Sequence, residues 1–112
     1  MQLTASAEAV LSRLDIFQRA VADIVYTDLL QEKQLVNLYP NFINNANIFY
    51  WSAQNAEGQP VAYVPLQHSK DIDLQQLHAL QQELKGSSIF IALADNTGNI
   101  LYYAVKQGIV DK

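Results

Sequence analysis

From Ala5 to Glu32 the apolar positions Ala7, Val10, Leu14, Phe17, Val21, Ile24, Val25 and Leu29 recur at steps of mostly three and four. That spacing lines up one face of an α-helix. Ser12, Arg13, Gln18, Arg19 and Asp23 fall mostly off the stripe, so the pattern predicts an amphipathic helix packed on a core, with Thr4 or Ser6 able to cap its start. The segment is long for a globular helix, which leaves room for a break near Leu14–Asp15. Asp28 falls on the stripe, which makes a poor coiled-coil seam.

The middle of the chain reads as extended. Leu35 to Tyr39 is a short apolar run that stops at Pro40, and Asn41 to Asn47, with four asparagines, reads as a turn-rich connection. Ile48-Phe49-Tyr50-Trp51 favours strand. Ala56-Glu57-Gly58 turns the chain into Val61-Ala62-Tyr63-Val64, framed by Pro60 and Pro65 at positions that tolerate a missing N–H. A second helix follows: Asp73 and Gln76 form a capping box, Leu74, Leu77, Leu80 and Leu84 set the stripe, and Gly86 ends it. Ile89 to Ala94 is apolar on both faces, the mark of an interior strand. Asp95-Asn96-Thr97-Gly98-Asn99 is a hairpin loop in which Gly98 can take positive φ, and Ile100 to Lys106 returns as the last strand.

The predicted fold is therefore a single α/β domain over residues 1–112, a mixed β-sheet flanked by helices in the order α-β-β-β-α-β-β. The terminal strand is unusual. Ile100, Tyr102 and Ala104 alternate with Leu101, Tyr103 and Val105, and no charge arrives before Lys106. Edge strands are normally blunted by charge, proline or a bulge. An apolar last strand either lies inside the sheet or pairs with another chain, and pattern alone leaves both open.

Composition narrows the chemistry. Half the 112 residues are hydrophobic, 16% are charged, the net charge is -4 and there is no cysteine. Disorder needs the opposite balance; a net negative chain does not grip phosphate backbones unaided; disulfides and thiolate metal sites are excluded. No apolar run reaches the length of a membrane span, and the first residues lack the pattern of a signal peptide. His68 reads as a solvated loop residue and His78 as a surface residue of the second helix. The two histidines with Asp71 and Asp73 are too loose a set for zinc, and Lys85 suits the negative end of a helix. No phosphate-cradling glycine loop or nucleophile elbow is present. The aromatic segment at Ile48–Trp51 has no Lys or Arg between Lys33 and Lys70, so it reads as core, not as a base-stacking platform. No catalytic residue, metal or cofactor is expected from these residues.

The segment Leu84-Lys85-Gly86-Ser87-Ser88-Ile89-Phe90-Ile91-Ala92-Leu93-Ala94-Asp95-Asn96-Thr97-Gly98-Asn99-Ile100-Leu101-Tyr102-Tyr103-Ala104-Val105 resembles the end of the tRNA-splicing endonuclease domain, a restriction-endonuclease-like fold. Val21 to Leu30 resembles the first helix of that family's smallest, non-catalytic eukaryotic subunit. The resemblance implies a structural, nuclear subunit that pairs with catalytic and structural subunits of the pre-tRNA-cleaving heterotetramer and meets pre-tRNA indirectly. Catalytic members use a Tyr, His and Lys set. Glu57-Gly58-Gln59-Pro60 stands where the histidine belongs, and Lys85 falls near the family lysine without the rest of the set. The resemblance further implies a subunit interface along Ile100, Leu101, Tyr102, Tyr103, Ala104 and Val105; in the isolated chain the unprotected strand is expected to form a homodimer. The loop Asp95, Asn96, Thr97, Gly98 and Asn99 takes the place of the family's acidic plug for a neighbouring subunit, with Asp95 its one acid. The rival expectations are a small α/β dimerising adaptor unrelated to RNA, and a metal-independent ribonuclease using Lys85 with His68 or His78.

Overall fold

The computed structural model describes residues 5–32, 34–44, 47–67, 73–95 and 97–105. Its elements are α1 (Ala5–Leu11), α2 (Ile16–Glu32), β1 (Val36–Ile43), β2 (Ile48–Gln54), β3 (Pro60–Leu66), α3 (Leu74–Glu83), β4 (Ser88–Ala94) and β5 (Ile100–Val105). The five strands form one sheet in sequence order. All neighbours are antiparallel except β3 and β4, whose parallel pairing needs a crossover connection; α3 supplies it.

The expected break in the first helix is present, and its cause is local. Asp15 Oδ1 accepts the Gln18 N–H at 2.8 Å while Gln18 Oε1 accepts the Asp15 N–H at 3.0 Å. This reciprocal capping box starts α2 afresh. The restart makes two helices of the one predicted, and the buried face of α2 also differs from the predicted stripe. The buried row of α2 is Ala22, Val25 and Leu29, whereas Phe17 is 74% and Ile24 39% exposed. A second correction concerns β1, which runs through Pro40 to Ile43 instead of stopping at Tyr39. An edge strand is the place in a sheet where a missing N–H is tolerated. Of the predicted connection, only Asn44 to Asn47 lies between strands, and Asn45 is outside the described residues.

The sheet is covered on both faces. On one face Leu11, Ala22, Val25 and Leu29 from α1 and α2 meet Phe49, Trp51, Val61, Tyr63 and Ala92. On the other, Leu80 of α3 meets Ile48, Tyr50, Ala62, Val64 and Ile89. The expectations that Ile48–Trp51 is core and that β4 is interior are met. Helix α3 starts as predicted, with Asp73 accepting the N–H groups of Gln75 and Gln76. Gln76 also reaches across to donate to the Asn47 carbonyl at 3.1 Å, which ties the helix to the start of β2.

Two hairpins are built alike. Asn55 N–H donates to Gln59 O at 2.9 Å and Gly58 N–H to Asn55 O at 2.9 Å; Asp95 N–H donates to Asn99 O at 2.9 Å and Gly98 N–H to Asp95 O at 3.3 Å. In each, the Asn or Asp side chain also takes backbone N–H groups of the loop. Gly58 and Gly98 sit at φ +80° and +89°, the left-handed position that closes such a three-residue loop. The repeated Asn/Asp-x-x-Gly spacing is the sequence cause.

Candidate functional site

Among the described residues the last strand lies at the edge of the sheet, which removes the interior reading of its apolar pattern. The opposite edge is blunted. Strand β1 shifts register between Val36 and Tyr39, with Asn37 at φ +59°, and carries Pro40. Asn41 Nδ2 and Ser52 Oγ both donate to the Tyr39 carbonyl. The Arg13 guanidinium lies 4.4 Å over the Phe42 ring and donates to Asn44 Oδ1. Bulge, proline and side-chain cover are the usual devices against edge pairing. Among the described residues strand β5 has none of them: six consecutive residues pair with β4 in unbroken register, from Ile89 opposite Val105 to Ala94 opposite Ile100.

The hairpin fixes which β5 backbone groups face outward. Asp95 N–H donates to Asn99 O, so Asp95 and Asn99 form a hydrogen-bonded pair. Antiparallel ladders alternate such pairs with non-hydrogen-bonded ones. In the register observed, Leu101, Tyr103 and Val105 therefore bond inward to β4. The N–H and C=O groups of Ile100, Tyr102 and Ala104 point away from it.

The two faces of β5 differ. On the α2 side, Tyr102 is half-buried; its ring stands edge-on to Tyr63 at 5.6 Å, and Tyr63 stacks on Phe90 at 5.0 Å. Its hydroxyl donates to Asp28 Oδ2 at 2.5 Å. This contact accounts for the carboxylate on the apolar stripe of α2, a residue the sequence pattern flagged without supplying its partner. On the α3 side, Leu101 and Tyr103 remain 59% and 50% exposed. There they continue the rows Leu66–Leu93–Leu101 and Val64–Ile91–Tyr103 as an apolar ledge. The two tyrosines, adjacent in sequence, do different work: Tyr102 fastens the strand to its own helix and Tyr103 faces solvent. Removing the Tyr102 hydroxyl as Tyr102→Phe is expected to cost about 1.5–3 kcal/mol, the range for a hydrogen bond to a charged group. Urea denaturation reads that loss directly.

The remaining candidates separate. Ile100 to Val105 are brought together as one continuous edge, with the hairpin loop at its end. Asp95 turns into its own loop, accepting Thr97 Oγ1 at 2.8 Å and the N–H groups of Thr97 and Asn99 at 2.9 Å. Hydrogen bonds from Thr97 and then Asn99 hold its carboxyl below the ordinary aspartate value. Asn96 and His68 are outside the described residues. His78 and Lys85 are exposed on and just beyond α3. Burial pushes the phenols of Tyr26, Tyr50 and Tyr63 up from the ordinary tyrosine value, which suits core residues and disfavours a phenolate base. Among the described residues no group of three or more His, Asp or Glu side chains is placed to hold a metal ion. An open groove of about 370 Å³ beside α2, lined by Leu14, Phe17, Val21, Ile48, Val64 and Leu77 among others, includes two carboxylates, Asp15 and Asp73, and both cap helices.

A family model described as Sen15 protein matches residues 24–112. No curated protein matches the chain. The matched span contains the whole sheet, the hairpin and the β5 edge, together with Asp28 of α2.

Proposed function

The chain belongs to the Sen15 family of tRNA-splicing endonuclease subunits, and from that premise we propose that it is a non-catalytic, nuclear subunit that docks a catalytic partner through β5. The observation that carries this reading is the asymmetry of the two sheet edges. The β1 edge is bulged and covered, whereas β5 presents outward backbone groups flanked by an exposed Leu and Tyr. Added strands gain main-chain hydrogen bonds for affinity and alternate side-chain pockets for specificity. The contribution to RNA cleavage is then positional: the subunit holds the heterotetramer together and meets pre-tRNA through its partners. Glu57 to Pro60, standing where catalytic members of the family carry histidine, supports the non-catalytic role. When no partner is present, β5 pairs with a second copy.

The test is co-purification with the other splicing-endonuclease subunits. Tyr103→Asp places a charge on the ledge and is expected to lower recovery of the catalytic subunit by at least tenfold, the effect of about 1.4 kcal/mol. Tyr102→Phe leaves the ledge unaltered and is expected to lower recovery far less than Tyr103→Asp does. Equal recovery of the wild-type and Tyr103→Asp chains counts against docking at β5. Cleavage of intron-containing pre-tRNA by the purified chain alone counts against the non-catalytic role.

A further inference from the structure

We propose that the groove between the first turns of α2 and α3 binds an arginine presented by an extended segment of a protein partner. The inference stands apart from the docking role of β5.

The groove opens at the end of the sheet where β2 begins and β3 ends. Leu14 and Phe17 line it at the start of α2, Leu77 in α3, and Ile48 and Val64 in the sheet, around a volume of about 370 Å³. That volume lies toward the small end of ligand-binding clefts. Both helices meet the groove through the same short motif, an aspartate cap followed at once by a bulky apolar residue in contact with solvent. Asp15 precedes Ile16 and Phe17, 78% and 74% exposed, and Asp73 precedes Leu74, 57% exposed. Other residues of these helices cover the sheet. Exposed apolar side chains set beside a cleft mark an interaction surface.

Charge selects the occupant. The lining carries the carboxylates of Asp15 and Asp73 and, among the described residues, no Lys, Arg or His. Each aspartate uses Oδ1 to cap its helix, and among the described residues Oδ2 has no hydrogen-bond partner. A helix N-terminus carries roughly +0.5 of an elementary charge, so about half a negative charge remains at each cap. The two halves together match one monovalent cation. Two carboxylates without further ligands are too few for a hard metal ion.

Arginine matches this arrangement better than lysine. Its planar fork of five donors reaches two separate acceptors, and its flat guanidinium stacks on an aromatic ring, as Arg13 does over Phe42 at 4.4 Å. Phe17 offers such a ring at the groove. The aliphatic stem lies on the apolar lining while the head stays at the rim. Asn47 and Gln67 add side-chain amides to the lining, groups that pair with the backbone of an extended peptide.

The probe is acetyl-Leu-Arg-Leu-amide, titrated into the isotope-labelled chain and followed by NMR. The same peptide with citrulline, the uncharged isostere of arginine, is the comparison. The expected result is saturable shifts at Phe17, Gln18, Asn47 and Gln76, with the citrulline peptide weaker by about tenfold or more, as loss of a hydrogen bond between charged groups implies. Asparagine caps a helix as well as aspartate does, so Asp15→Asn combined with Asp73→Asn removes the charge and keeps both caps. That double variant should bring the two peptides to the same affinity. Should it fold poorly, salt decides on the wild-type chain: about 0.5 M salt screens exposed charges and should erase most of the advantage of arginine. An advantage that survives in the double variant, or undiminished in high salt, overturns the proposal. So does equal binding of the two peptides by the wild-type chain. Shifts confined to Ile100–Val105, or none at millimolar peptide, overturn the groove as the site.

Discussion

An Ala104→Pro chain is expected to fold normally and to lose its ability to pair. Proline removes one backbone donor, and the hairpin phase places the Ala104 N–H on the side of β5 that faces away from β4. The β4–β5 ladder is thus untouched, and an outward-facing edge position is where a strand tolerates proline. The monomer should lose less than about 1 kcal/mol on this account. A self-paired dimer instead loses one edge hydrogen bond from each copy, at about 1 kcal/mol apiece, with the ring adding a steric barrier. Its dissociation constant should rise by at least about 30-fold, read by sedimentation equilibrium. Tyr103→Pro is the control of opposite sign. Its N–H bonds inward to β4, so the same substitution one residue earlier should cost the fold about 3 kcal/mol. Equal stability of the two proline chains in urea means the phase derived from the hairpin is wrong.

Trp51→Ala is expected to destabilise the fold by about 3–5 kcal/mol, the range for truncating a fully buried tryptophan. Trp51 has no exposed surface, and its ring meets Tyr26 at 4.7 Å and Phe49 at 5.4 Å. Its indole N–H donates to the Ala22 carbonyl at 3.1 Å, linking the second strand to the middle of α2. Truncation leaves a cavity between helix and sheet and removes a donor from a buried carbonyl. Native stability is commonly 5–15 kcal/mol, so the loss is a large fraction of the whole. Phenylalanine at the same position keeps most of the volume and should recover more than half of it. A cost below about 1 kcal/mol for alanine, measured by urea denaturation, would show that the helix–sheet contact is not central to stability.

Much of this was legible in the chain. The strand runs at Ile48–Trp51, Val61–Val64 and Ile89–Ala94, the Asp73 cap and the Gly98 hairpin announce themselves because each is a local choice with a local signal. The open edge was half legible: alternation without charge marked Ile100–Val105, but whether a strand is interior or terminal depends on sheet order, which no local pattern encodes. The α2 stripe misled for a related reason. Phe17 and Ile24 fall within the helical spacing of the predicted stripe, but the face of α2 that meets the sheet is Ala22, Val25 and Leu29, and which side of a helix packs is settled by the sheet rather than by the period. Pro40 reads as a stop in the sequence because its tolerance depends on β1 being an edge. Asp28 was visibly out of place on its stripe, yet its partner Tyr102 lies 74 positions away, beyond the reach of periodicity.

That long-range contact has a kinetic consequence. A terminal hairpin strand is ordinarily among the first parts of a domain to fray, and a frayed edge must be ordered again each time a partner arrives. Asp28 grips Tyr102 from the helix and Tyr63 braces its ring, so on the docking role proposed above β5 would meet a partner already extended and in register. Association should then proceed as rigid-body docking, with little ordering entropy lost at the encounter.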